Sequence, residues 1–434
     1  MEKNICVVGL GYIGLPTSAM FASHGHKVIG VDVNKKVVEE LNKGNIIIEE
    51  PGLGELVESV VKEGNLKAQI TPIESDVFII AVPTPITDDK RADLSYVKKA
   101  TESIVKFIKE GDIVILESTS PTGTTEEVML PILNRSGLVA GKDYFLGHSP
   151  ERVLPGQILQ ELINNNRIIG GVNKVSAEAI KDLYSSFVKG EMYLTTATTA
   201  EMCKMMENTF RDVNIALANE LAKICEKVGI NAWEVIELCN KHPRVSLHQP
   251  GPGVGGHCLA VDPWFIVERV PDIANIIKLS RETNDSMPQY VFNRIGELLS
   301  YEKRRRKVTV LGITYKPNID DMRESPITEI IDKLDKSDYE LAIVDPYVSG
   351  FRHEERDILK ACTGSDLVLL AVNHNQFKEL NFKEISEVMR GNLIFDTRNF
   401  LNNEDIINSG LAHIVLGNSK RKSTLSYNEV AITQ

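Results

Sequence analysis

The chain has 434 residues, a net charge of −11, and 42% hydrophobic and 25% charged residues. Those proportions describe a soluble globular protein of roughly three domains. No apolar run approaches the ~18 residues of a membrane span, and the acidic balance argues against nucleic acid as a default partner. The cysteines, Cys6, Cys203, Cys225, Cys239, Cys258 and Cys362, form no CxxC pair and no His/Cys metal spacing. A reducing cytoplasm is therefore the expected setting, with no structural zinc and no other metal site.

The short apolar run at residues 4–9 meets a glycine motif, so it reads as a first strand and not as a signal peptide. Gly9-Leu10-Gly11-Tyr12-Ile13-Gly14 follows, then a helical pattern to about His24, then a second apolar strand, KVIGVDV, that contains Asp32. In this order the first glycine permits the tight turn, the second lets a pyrophosphate approach the backbone, and the third lets helix pack on strand. The helix N-terminus offers free N–H groups to phosphates. Asp32 lies at about the spacing of the acid that accepts from an adenosine ribose, which favours NAD over NADP.

Strands DVFIIAV (76–82) and DIVILES (112–118) each run into a Pro/Thr turn. Strand C-termini line the ligand crevice of an open α/β sheet, so Thr84 and Thr119 are candidates for cofactor contacts; ordinary loop caps are the plainer reading. Residues 145–156, FLGHSPERVLPG, place Glu151 beside Arg152 in a Pro/Gly-bounded loop, which by itself reads as a surface ion pair. Residues 199–228 form the longest helical pattern, with Glu201, Lys204, Asn208 and Arg211 on one face. Met202, Met205, Met206 and Phe210 fall on other faces and read as packing. The polar stripe is either a solvated face or the lining of a cleft between domains, where ligand sites concentrate.

Residues 251–262, GPGVGGHCLAVD, put Cys258 just after Gly255 and Gly256, with Asp262 four residues on. Backbone exposed by glycine supplies donors that lower a thiol pKa and stabilise an oxyanion. A glycine-rich loop around a buried structural cysteine is the plainer alternative. KRRRK at 303–307 reads as a solvated boundary. The α/β pattern then resumes with KVTVLGI, YELAIVD, DLVLLAV, LIFDT and HIVLG. Its first turn, from Gly312 to Pro317, lacks GxGxxG, so a second dinucleotide site of the usual kind is not expected. The tail after Asn418 is polar and expected to be mobile.

Taken together, VGLGYIGLP, ESTSPTG, HSPER, AEMCKMMENTFRDVN, GPGVGGHC and YKPNIDDMRESP, in that order, resemble the UDP-glucose/GDP-mannose dehydrogenase family over nearly the whole chain. The resemblance implies an α/β fold of two Rossmann-like doubly wound domains joined by a long central helix. The expected division is an NAD domain over 1–198, a central helical domain with the dimerisation helix and cysteine loop over 199–302, and a UDP-sugar domain over 303–434. It also implies NAD-dependent oxidation of C6 of a UDP-sugar, alcohol to acid, in a homodimer or higher homo-oligomer. Val261 and His257 flank the cysteine segment where other branches differ. This resembles the branch making N-acetylhexosaminuronates, with N-acetylmannosamine as the expected sugar; N-acetylglucosamine and glucose are the neighbouring alternatives. A non-catalytic nucleotide-sugar sensor is the alternative from another class.

By the same resemblance, Cys258 is the nucleophile that captures the aldehyde as a thiohemiacetal and then a thioester. Lys204 is the acid/base and stabiliser of charge on the C6 oxygen, with Asn208 as a neutral donor, and Asp262 and Glu151 are candidates for handling water. Lys204 and Asn208 also count among the substrate contacts, with Arg211, His242, Arg244 and Gly255. Tyr315 and Lys316 are expected on the substrate and Arg323 on NAD. Arg244 is expected to reach the partner subunit's substrate. Where the family commonly has Ser-Pro-Glu-Phe-Leu, this chain has Arg152 and Val153 after Glu151, which implies contact with a different sugar substituent.

Overall fold

The structure is a computed structural model that describes residues 2–48, 50–154, 156–300 and 305–419. The basic segment 303–307 lies partly, and the tail after Asn418 almost wholly, outside these residues. The chain divides into two compact units: residues 1–208 with 261–274, and residues 209–260 with 275 onward.

The first unit carries an eight-stranded sheet. Its strands are β1 Asn4–Val8, β2 Lys27–Val31, β3 Leu66–Gln69, β4 Val77–Ile80, β5 Ile113–Leu116, β6 Phe145–His148, β7 Arg167–Gly171 and β8 Met192–Thr196. The order is β3-β2-β1-β4-β5-β6-β7-β8, parallel except between β6 and β7. β4 and β5 are buried along their whole length, as strands covered on both faces must be, and so read as continuous Val/Ile/Leu runs. The strand order reverses between β1 and β4, the switch point at which an open α/β sheet takes its ligand. The helix Gly14–Ser23 packs there with nearly every residue buried, because Gly14, Ser18, Ala19 and Ala22 are small enough for a close approach. Phe21, fully buried in its last turn, contributes about 2–3 kcal/mol of burial.

Sequence patterning identifies four of these eight strands. β3 is short and half-polar. β6 lies in what reads as a loop, because its residues FLGH run straight into Ser-Pro. β7 carries Arg167 at its head and β8 is largely exposed, so neither shows an apolar run.

The second unit holds β9 Lys307–Leu311, β10 Glu340–Val344, β11 Leu367–Leu370, β12 Leu393–Asp396 and β13 Ala412–Val415, all parallel, in the order β10-β9-β11-β12-β13. This is the other common doubly wound order, with its switch point between β9 and β11. All five strands match the apolar runs read from the sequence. The helix Ala197–Val228 is continuous, with the division between units falling after Asn208. The fold is the expected one: two doubly wound α/β parts and a long central helix.

Candidate active site

The glycine turn after β1 has the geometry a dinucleotide needs. Gly9 has φ 101°, where a Cβ would meet the Ala81 carbonyl oxygen at 2.5 Å. At Gly14 a Cβ would lie 1.8 Å from the Gly9 oxygen, while at Gly11 it would meet nothing within 4 Å. The middle glycine thus faces open space at a helix N-terminus, and the outer two admit no side chain. Tyr12 is exposed and Ile13 half-buried beside that opening. Asp32 accepts from the Leu10 N–H (3.0 Å) and the Asn34 N–H (2.8 Å), which fixes its carboxylate at the end of β2. Thr84 and Thr119 come together, the Thr84 hydroxyl donating to the Thr119 carbonyl. These residues fit an NAD diphosphate and ribose.

Behind the β5 and β6 ends lies a buried charged cluster. Glu151 pairs with Arg167, and its other oxygen accepts from the Arg152 N–H at 2.7 Å. Arg167 also reaches Glu117 (3.5 Å) and lies over the Tyr184 ring at 4.1 Å. Glu117 accepts from Tyr184 Oη (2.7 Å) and Thr17 Oγ1 (3.0 Å). Burial outweighs those contacts and the pull of Arg167, and with Glu151 nearby it raises the Glu117 carboxyl to about 7. The expected exposed Glu151–Arg152 ion pair does not form. Glu151 is buried on Arg167, while Arg152 pairs with Glu207 and donates to the Asn166 carbonyl at 2.9 Å. Val153 packs against the apolar core.

The polar stripe of the long helix divides by function. Glu201 is fully buried and accepts from the Gly123 N–H (2.5 Å), the Thr125 N–H (2.8 Å) and Thr125 Oγ1 (2.7 Å). It therefore caps the turn after β5, and burial raises its carboxyl to about 7. Two turns on, Asn208 donates to Asp262 Oδ2 at 2.5 Å. Asp262 opens the helix Asp262–Arg269, and burial raises its carboxyl to about 7 against the Asn208 hydrogen bond and the nearby Lys204 charge. Lys204 also acts on the buried His148 at the end of β6, whose imidazole is held at about 3, chiefly by burial. Lys204, Asn208 and Asp262 thus form one constellation: a cation, an amide and a carboxylate poised near neutrality. Met205 is buried as expected, but Met206 and Phe210 are exposed, Phe210 to 65%.

In the second unit Cys258 sits in a turn with its side chain exposed, not buried. The glycines before it make the close approach. A Cβ on Gly255 would meet the Glu324 carbonyl oxygen at 2.3 Å, and one on Gly256 (φ 85°) would meet the Tyr315 ring at 2.8 Å. Tyr315 thus lies against the cysteine loop. Lys316 is exposed, and Arg323 is held by Asp321 through two hydrogen bonds of 2.8 and 2.7 Å. Arg211, His242 and Arg244 are exposed, and His242 Nδ1 accepts from the Arg244 N–H at 3.3 Å.

Sequence reading overlooks Glu117, Arg167 and Tyr184, and in the second unit Asp212, Asn219, Arg281 and Asn284. A signal for the latter four exists: polar residues seven apart on the long helix and three apart on the helix Asn275–Asp285, each where an apolar residue is the usual choice.

The chain matches sequence models of the UDP-glucose/GDP-mannose dehydrogenase family: the NAD binding domain over residues 3–188, the central domain over 198–286 and the UDP binding domain over 309–403. It is 47% identical to a UDP-N-acetyl-D-mannosamine dehydrogenase of Methanococcus vannielii, over 96% of this chain and 97% of that one. It is 44% identical to an NDP-N-acetyl-D-galactosaminuronic acid dehydrogenase of Ralstonia nicotianae, over 91% of this chain and 96% of that one. The solved UDP-N-acetyl-mannosamine dehydrogenase of S. aureus superposes with a TM-score of 0.88 at 49% identity, covering 96% of this chain and 99% of that one. Among the described residues, no helix is long and apolar enough to cross a membrane.

Proposed function

The chain belongs to the UDP-glucose/GDP-mannose dehydrogenase family, and we propose that it oxidises C6 of UDP-N-acetyl-D-mannosamine to UDP-N-acetyl-D-mannosaminuronate in the cytoplasm, feeding polysaccharide synthesis. The observation that carries the chemistry is the convergence of Asn208 and Lys204 on the buried Asp262. The mannosamine assignment draws on the relatives' activities. The galactosaminuronate relative keeps a second hexosamine reading in play.

In this reading residues 1–198 hold the cofactor, 199–302 carry the chemistry and the subunit contact, and 303–434 hold the UDP-sugar. Bound NAD supplies the hydride acceptor. The turn Gly9, Gly11, Tyr12, Ile13 and Gly14 receives the diphosphate, Asp32 the ribose, and Thr84, Thr119 and Arg323 complete the cofactor contacts. Lys204 and Asn208 donate to the C6 oxygen as charge develops on it. The Cys258 thiolate adds to the aldehyde carbon, and loss of the second hydride leaves a thioester. Asp262 deprotonates the water that cleaves the thioester, a task suited to a carboxyl near 7. Glu151, held by Arg167, orients that water. Arg152, Val153, Arg211, His242, Gly255, Tyr315 and Lys316 contact the substrate. Overall the alcohol loses two hydrides, takes up one water and releases three protons, so two NADH form per acid.

The subunit contact is proposed on the long helix. Phe210, Leu217, Ile224 and Val228 are each roughly half or more exposed, at steps of seven, seven and four. A second copy covers such a stripe economically, and it brings Arg244 to the partner's substrate. Replacing Phe210 with Asp should shift sedimentation towards monomer; an unchanged profile would rule this face out.

The decisive test is Cys258→Ala with acid formation counted per folded molecule. The variant should bind NAD and lose acid formation by about 1,000-fold or more. Acid formation near that of the unaltered enzyme would falsify the nucleophile assignment. A panel of UDP-linked ManNAc, GlcNAc, GalNAc and glucose tests the sugar. NADH formation with none of them would favour the sensor.

A further inference from the structure

We infer that the buried set Asp212, Asn219, Arg281 and Asn284 is the positioning frame of the Cys258 loop, and that it governs the second oxidation without touching substrate. The inference rests on the reading of Cys258 as the nucleophile.

Asp212 and Asn219 share one face of the long helix, and Arg281 and Asn284 share one face of the helix Asn275–Asp285. All four are buried. Arg281 Nη1 donates to Asp212 Oδ1 at 2.5 Å, and Asn284 Nδ2 donates to the same oxygen at 2.8 Å and to the Asp212 carbonyl at 3.0 Å. Asn219 Nδ2 donates to Asn284 Oδ1 at 2.8 Å. Two contacts leave this set for the loop: Asn219 Oδ1 accepts from the Gly251 N–H at 2.8 Å, and Arg281 Nη1 points at the Leu259 carbonyl at 3.4 Å. The loop is therefore held at both ends, the second contact one residue past Cys258. Its middle is fixed where Gly255 and Gly256 lie against the Glu324 carbonyl and Tyr315.

A buried ion pair is a poor route to stability compared with apolar residues of the same volume. Direction is what it offers, because a hydrogen-bonded set has one geometry where an apolar contact tolerates many. Sulfur placement matters to one half of the reaction. The first hydride leaves C6 with no sulfur–carbon bond. In the second half the sulfur lone pair bonds to the aldehyde carbon as the carbonyl π pair moves to oxygen, and that oxygen takes a proton. The thiohemiacetal then gives its hydride to a second NAD as its hydroxyl proton leaves, forming the thioester. Water cleaves the sulfur–carbon bond and the thiol regains a proton. Small misplacements of a nucleophile are costly in such a step.

The experiment uses full-length Asn219→Ser and Arg281→Lys, mild changes chosen to keep the fold, with rates expressed per folded molecule. The 6-aldehyde of the active UDP-sugar is supplied with NADH, which reads the first step in reverse, or with NAD, which reads acid formation. Acid formation should fall by about tenfold or more while aldehyde reduction stays within about threefold. Equal losses in both assays would reduce the set to an ordinary structural role, and no loss in either would also overturn the inference. Cys258→Ala in the same assays separates the two claims. If it still makes acid, the nucleophile reading fails. If it does not, and Asn219→Ser matches the unaltered enzyme in both assays, the positioning frame alone fails.

Discussion

At the head of the first sheet Gly9 has φ 101°, its N–H meets the Val31 carbonyl at 2.8 Å, and the Leu10 N–H meets Asp32 at 3.0 Å. At the head of the second, Gly312 has φ 89°, its N–H meets the Val344 carbonyl at 2.8 Å, and the Ile313 N–H meets Asp345 at 2.8 Å. The backbone device is the same, but the chain leaves it along different paths. After Gly9 the chain enters a helix by Gly14, with open space beside Gly11. After Gly312 the helix waits until Pro326, and the buried His374 occupies the turn. Its Nε2 lies 3.1 Å from Asp345, its Nδ1 accepts from the Asn318 N–H at 2.9 Å, and its ring lies tilted against Tyr347 at 5.1 Å. In the proposed function Asp32 also takes the ribose, whereas Asp345 is spent on the fold. A doubly wound sheet fixes where a site can be, while the residues after the first strand decide what it takes.

The largest expected effect falls on the first turn. In Gly14→Ala the new Cβ would lie 1.8 Å from the Gly9 oxygen, and NAD affinity should drop by about 100-fold, or ~2.7 kcal/mol. Thr314→Gly, at the place in the second turn that corresponds to Gly11, should leave NAD affinity unchanged. NADH fluorescence titration reads both, and normal binding by Gly14→Ala would erase the distinction between the turns.

The two acids come next. Asp345→Asn disrupts a buried hydrogen-bonded pair and should cost about 2 kcal/mol of stability in a denaturant titration, with NAD affinity untouched. Asp32→Asn should do the reverse, weakening NAD about tenfold at little cost in stability and narrowing its preference over NADP. A matching loss of stability in the two variants would mean that both acids are structural.

A smaller contrast concerns pH. Burial opposes charge on Asp345, but hydrogen bonds from His374 and from the Ile313 and Tyr347 amides hold its carboxyl below the usual range. Its contribution is present above the ordinary carboxylate value and is lost as pH falls through the folded one. Burial raises Asp262 and Glu201 to about 7. The folded first unit keeps protons there that the unfolded chain releases, so its stability falls as pH rises from about 4 towards 7. Acidification should therefore weaken the second unit relative to the first, by a few degrees of Tm. Hydrogen exchange followed by mass spectrometry at pH 3.5 and 6.5 compares the units, and parallel loss of protection in both would remove the contrast.

The sequence made the second sheet legible strand for strand, because β9 to β12 are largely buried and mostly apolar, and the half-buried β13 still carries Ile414 and Val415. It hid half of the first sheet, because β6 runs straight into Ser-Pro and β7 begins with an arginine whose burial only the fold can reveal. The glycine turn was legible because steric demands fall on single positions at fixed spacing. Glu151 was misjudged because its partner, Arg167, lies sixteen residues away and Glu117 lies farther still. Asp212 and Asn219 passed unnoticed for a similar reason: their spacing hints at burial, but their partners Arg281 and Asn284 lie on another helix.

The thiols differ sharply in accessibility, and that bears on how this protein ages. Cys6, Cys225 and Cys362 are buried, and burial pushes the first and last of these up to about 12, so oxidants and alkylating reagents meet little thiolate there. Cys239 and Cys258 are exposed. Peroxide or air should therefore consume the exposed sulfurs while the core stays intact, and reductant should restore them as long as oxidation stops at the sulfenic stage. A preparation stored without reductant should lose acid formation well before its circular dichroism changes, so a sample judged sound by its folding can already be spent as a catalyst.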